Sequence, residues 1–95
     1  MELTFDALLW HWRGPSPFHF LTVPEEGSAA LRAAAASVTY GWGMVPVTAI
    51  IGTTSWTTSL FAKDGGYVVP VKAAVRSREG LVLGDRVTVT LRVGP

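Results

Sequence analysis

The sequence predicts a mainly β protein with two short helices, closed into a small six-stranded barrel in the order ββαβββαβ. Three observations carry this. Apolar and polar residues alternate with a period of two in several short segments, most regularly in RVTVTLRV at 86–93. Glycine- and proline-bearing turns separate those segments at short intervals. Six strands with short connections also favour a small barrel over an open sheet, because closure removes vulnerable edges.

The elements follow in chain order. Residues 3–12, LTFDALLWHW, read as a strand with Leu3, Phe5, Ala7 and Leu9 on one face and Leu8, Trp10 and Trp12 on the other. Its second half is apolar on both faces, which predicts cover on both sides. Arg-Gly-Pro-Ser-Pro at 13–17 is a loop, and FHFLTV at 18–23 is a second strand that the short connection pairs antiparallel to the first. Pro24 then opens a helix over about 25–36, with Glu25 and Glu26 in the first turn, where the helix dipole favours anions.

GMVPVTAII at 43–51 is a third strand with Val45, Val47, Ala49 and Ile51 facing one way. Pro46 donates no ladder hydrogen bond, so an edge or bulge is expected there. A turn at 52–53 leads into a fourth strand, TSWTTSLF, at 54–61. Lys-Asp-Gly-Gly at 63–66 is a hairpin turn, because Asp-Gly supplies positive φ angles, and 67–69 is a short fifth strand. Pro70 reads as the first helical position of a helix at about 71–79 that Gly80 terminates. Gly84-Asp85 turns the chain into the sixth strand, with Val87, Val89, Leu91 and Val93 inward.

Composition limits function. A chain of 95 residues suits one domain, residues 1–95, and its 48% hydrophobic and 16% charged residues oppose disorder. The first residues show no signal peptide and no apolar run long enough to span a bilayer, so a cytoplasmic location is expected, with no membrane partner. The absence of cysteine excludes disulfides, thiolate nucleophiles and sulfur-ligated metal sites. His11 and His19 read as strand histidines rather than ligands, so neither a metal nor a cofactor is expected. The net charge of +1 lacks the basic surplus of a strong nucleic-acid binder, and nucleic acid is not expected as a partner.

The residues that stand out are aromatic and cationic. Trp42 sits between Gly41 and Gly43, an arrangement that lets an indole swing over a barrel mouth, as a plug or as the wall of a pocket. Four tryptophans are hard to bury completely in so small a chain, so at least one is expected at a groove or an oligomer contact. Lys72 and Arg76 are spaced to share one face of the second helix, held apart by solvent and Glu79 or bridged by a carboxylate or phosphate. Arg13 is expected to pair with Glu25 or Glu26. Ser59 lacks the motif of an activated nucleophile, the adjacent Glu25 and Glu26 do not suit glycoside chemistry, and no phosphate-binding glycine pattern occurs. No catalytic residue is assigned.

The fragments LLWHWRGPSPFHFLTVPEE, GWGMVPVTAIIG, WTTSLFAKDGGYVVPVKAAVR and GLVLGDRVTVTL, taken together, resemble the DUF1905 family of small bacterial and archaeal proteins, from about Phe5 to Val93. The resemblance implies a six-stranded barrel of the double-split kind, a fold group that includes AbrB-like transcription factors, and it implies no chemistry. The expectation is therefore a non-catalytic binding module. Its aromatic pocket is formed by Trp42, Trp56 and Tyr67, with Lys72 and Arg76 at the rim to orient a small anionic ligand. The alternatives are a DNA-binding regulator, by analogy with AbrB-like barrels, and a structural module that buries an exposed tryptophan in a homo-oligomer.

Overall fold

A computed structural model describes residues 1–14, 18–35 and 44–93. The elements are β1 (Glu2–Trp12), β2 (Phe18–Thr22), α1 (Glu25–Ala35), β3 (Val45–Ile51), β4 (Thr54–Lys63), β5 (Gly66–Pro70), α2 (Ala73–Glu79) and β6 (Arg86–Val93). The strands close into a barrel in the spatial order β1-β2-β5-β4-β3-β6, and every pairing is antiparallel. The order ββαβββαβ and the closure agree with the sequence reading.

Closure depends on β6. It pairs with β1 from Glu2↔Arg92 to Leu8↔Arg86 and with β3 from Val47↔Val93 to Ile50↔Thr90. Its alternation places Val87, Val89, Leu91 and Val93 in the core beside Val45, Val47, Ala49 and Ile51 of β3 and Leu9 of β1. Burying each such side chain stabilises the fold by roughly 1.5–3 kcal/mol. Pro46 pairs with Ser59 of β4, and the described pairing of β3 with β6 begins at Val47.

Two tight turns set the β3–β4–β5 meander. Gly52 takes φ 57° between β3 and β4, and Asp64 and Gly65 take φ 51° and 81° between β4 and β5. Two successive positive φ angles make the latter a hairpin turn whose twist matches the strands. β4 runs two residues further, and β5 starts earlier, than the alternation alone indicated, because the turn holds Lys63↔Gly66 and Ala62↔Tyr67 in register.

Both helices lie against the barrel. α1 buries Leu31 and Ser28, whose hydroxyl donates to the Val23 carbonyl at 3.4 Å. α2 buries Val75 and ends at Gly80 in the left-handed conformation, φ 64°. Its start differs from the sequence reading. Pro70 remains in β5, and Lys72 is the N-cap with φ −71° and ψ 160°. The strand continues because Pro70 still pairs with Phe20, and the Val71 N–H donates to the His19 carbonyl at 2.9 Å.

The outer face of β1 is only partly covered, contrary to the expected cover on both sides. Leu8 is 54% exposed and Trp12 38% exposed, whereas Trp10 packs at 5.3 Å on Phe20 and donates to Thr22 Oγ1 at 2.8 Å.

Candidate binding site

The barrel has an aromatic outer flank because β1, β2 and β4 carry rings at positions of the same parity. The pairings Trp10↔Phe20 and Trp12↔Phe18 bring rings from β1 and β2 together, and Phe61↔Val68 adds β4 across β5. Phe18 stacks on Phe20 at 5.6 Å, and both meet the edge of Phe61, at 5.7 and 5.9 Å. Phe20 is buried beneath this cluster, while Phe18 is 37% exposed.

Beside Phe18 and Phe61 opens a cleft of about 210 Å³ lined also by Trp56, Thr58, Pro70, Val71 and Lys72. Trp56 is its most buried aromatic wall. The side chain is only 8% exposed, and its Nε1 is buried with no hydrogen-bond partner among the described residues. An indole N–H left unpaired in a dry site carries a desolvation cost of roughly 1–3 kcal/mol. Lys72 stands at the edge, exposed and without an ion pair among the described residues. Among the described residues, no carboxylate lines the cleft.

The residues singled out by sequence divide in four ways. Trp56 and Lys72 line the same cleft. Tyr67 is a buried core residue lining a different hollow, about 560 Å³, together with Trp10, Ser28, Lys63 and the carboxyl-bearing Glu25 and Asp64. That mixed-charge lining does not suit an anion. Trp42 lies outside the described residues, as does the pocket wall it was expected to form.

Arg76 takes a different position from the one its spacing implied. Lys72 is the extended N-cap of α2, and its carbonyl accepts from the Arg76 N–H at 3.1 Å. The Arg76 guanidinium instead folds back, Nε donating to the Val71 carbonyl at 3.2 Å and Nη1 to His19 Nε2 at 3.3 Å. It thus braces the strand-to-helix joint that carries Lys72. Glu79 does not offset either cation: its Oε2 accepts from Thr54 Oγ1 at 2.6 Å, tying α2 to β4. Glu25 is likewise engaged, by Arg32 at 3.1 Å rather than by Arg13.

His11 and His19 lie directly opposite one another, with ring centroids 4.8 Å apart. Burial, the Arg76 charge and His11 hold the His19 imidazole below its ordinary 6.5. No group of three or more His, Cys, Asp or Glu side chains among the described residues is arranged to hold a metal ion.

A family model described as Domain of unknown function (DUF1905) matches residues 5–91. The chain belongs to the DUF1905 family. No curated protein matches it. Membership in DUF1905 agrees with the fragments that carried the resemblance and assigns no activity. For this DUF1905 chain, the cleft and its surroundings are therefore the basis of any functional reading. Phe18 and Phe61 were not singled out by sequence. Their signal was the parity they share with Trp10 and Trp12, which becomes visible only once the strand register is known.

Among the described residues, no helix is long and apolar enough to cross a membrane.

Proposed function

We propose that this protein is a non-catalytic binding module whose Trp56–Lys72 cleft takes a small anionic ligand with a flat apolar body. The observation that carries this reading is one cleft that brings Phe18, Trp56 and Phe61 together with Lys72, whose ammonium has no ion-pair partner among the described residues. The Lys72 ammonium would attract the ligand's charge, and Phe18 and Phe61 would pack against its apolar body. Arg76 supports the site indirectly by fixing the Val71–Lys72 backbone.

A duplex-DNA reading is less well supported. The outer arginines of β6 are matched by β1 carboxylates, Arg92 with Glu2 at 2.9 Å and Arg86 with Asp6 at 3.9 Å. That leaves no continuous basic stripe on this part of the barrel.

The test is a titration with benzoate and phenyl phosphate, read by tryptophan fluorescence and by amide and indole NMR shifts. The expected result is a shift of the Trp56 indole N–H at millimolar ligand, weakened in Lys72→Gln. If the Trp56 indole signal stays still with both ligands, the cleft is not a binding site.

A further inference from the structure

The cleft has a neighbour built to the same pattern. Phe61 is a shared wall: on its other side lies a hollow of about 190 Å³ lined by Trp12, Phe20, Ala62, Lys63 and Val68. Each of the two hollows has aromatic walls and one lysine, and among the described residues neither is lined by a carboxylate. The Lys63 ammonium lies 5.9 Å from the Trp12 ring centroid, and its ion pair with Asp64, 3.8 Å between exposed groups, is loose. Trp12 is also held in place from below. Its ring packs on the backbone of Gly14 so closely that a Cβ there would collide with it.

We propose that this aromatic flank binds single-stranded nucleic acid, with consecutive bases lodged on either side of Phe61 and the backbone phosphates drawn to Lys63 and Lys72. The inference rests on reading the Trp56–Lys72 cleft as a binding site and extends it. Each hollow is smaller than the roughly 300–1,000 Å³ typical of a drug-sized ligand, so each suits a single planar ring system. Two adjacent hollows that each combine aromatic walls with one lysine match a ligand that repeats a flat ring and an anion, which is the chemistry of a single strand. Stacking on exposed rings beside a few cations needs no large basic surplus, so a net charge of +1 is compatible with it. A duplex hides its base faces. An acidic peptide supplies the charge without a ring for each hollow. A second copy docked on this face would set lysine against lysine, and like-charge juxtaposition is costly.

The test compares a short oligothymidylate, thymidine monophosphate, a duplex of the same length and an acidic Glu-rich peptide, using the full chain, tryptophan fluorescence and fluorescence anisotropy. The oligothymidylate is expected to bind about tenfold or more tightly than the monophosphate, as one additional stacked base requires. Its affinity should fall with salt at a logarithmic slope near about −1.4 for two phosphate contacts, and Lys63→Gln should roughly halve that slope. Trp12→Ala, at an exposed position, and Phe61→Ala should each weaken the oligonucleotide about tenfold. Equal affinity for oligonucleotide and monophosphate would overturn the strand proposal and leave the small-ligand reading standing. Equal binding of the duplex or the acidic peptide would also overturn it. No response to any of these, nor to benzoate or phenyl phosphate, would remove both.

Discussion

The guanidinium of Arg76 donates to Nε2 of His19, 3.3 Å away, across the joint between β2 and α2. Arginine has no acceptor, so His19 must present a lone pair at Nε2 and carry its proton on Nδ1. The contact therefore requires a neutral imidazole, and His11 on the facing strand adds to that requirement.

A pH dependence of stability follows. In the folded chain the His19 pKa lies below 6.5, lowered by burial, by Arg76 and by His11. The unfolded chain binds this proton more readily, so the contribution is fully present above about pH 6.5 and is lost as pH falls through the folded value. Urea unfolding at a series of pH values should show the midpoint falling below pH 6.5. His19→Gln should flatten that segment, and an identical slope in both proteins would assign it to other groups.

Trp56→Phe should cost little for so large a buried side chain. It removes the unpartnered Nε1–H, worth roughly 1–3 kcal/mol when buried, against a comparable loss of packing. Unfolding free energy is expected within about 1 kcal/mol of the parent. Leu60→Ala, at a fully buried site two rows along the same inner face, should lose about 2–5 kcal/mol. Denaturant titration of the two variants checks the contrast.

The β3–β4 turn and α2 should behave as one unit. Thr54, only 5% exposed, donates to Glu79 Oε2 at 2.6 Å, and a Cβ on Gly52 would strike the same carboxylate. Thr54→Val keeps the shape but removes the donor, which should cost about 1.5–3 kcal/mol. Gly52→Ala adds strain at φ 57° and pushes Glu79 away. The two changes should be markedly non-additive in a double-mutant cycle.

Gly14→Ala should displace the Trp12 ring without unfolding the barrel, since Trp12 is 38% exposed. Tryptophan emission should shift to the red while the denaturation midpoint changes by less than about 0.5 kcal/mol equivalent. A large loss of stability would instead show that the ring contributes to the core.

Much of the fold could be read locally. The alternation of 86–93 placed every inward residue of β6, and that of 45–51 did the same for β3. Asp64-Gly65 marked its turn because few other residues accept two positive φ angles. Helix α2 was less legible. Pro70 fits a first helical position and an edge of a strand equally well, and only its pairing with Phe20 decides between them. Of the candidate site, Trp56 and Lys72 came from composition and spacing. Tyr67 and Arg76 were drawn toward other neighbours, the core and His19. The flank formed by Trp12, Phe18 and Phe61 went unnoticed because its members are far apart in the chain.

The sequence by itself determined where six strands and two helices lie to within a few residues, which face of β3 and β6 is apolar and where the tight turns fall, since a two-residue period and the φ limits of glycine act within a few positions. Tertiary structure alone decided that β5 lies between β2 and β4 and that β6 joins β1 to β3. Alternation is indifferent to which neighbour a strand pairs with. The choice is made by closure, which satisfies every edge at once, and that same choice sets Phe61 beside Phe18 and opens the two hollows around it.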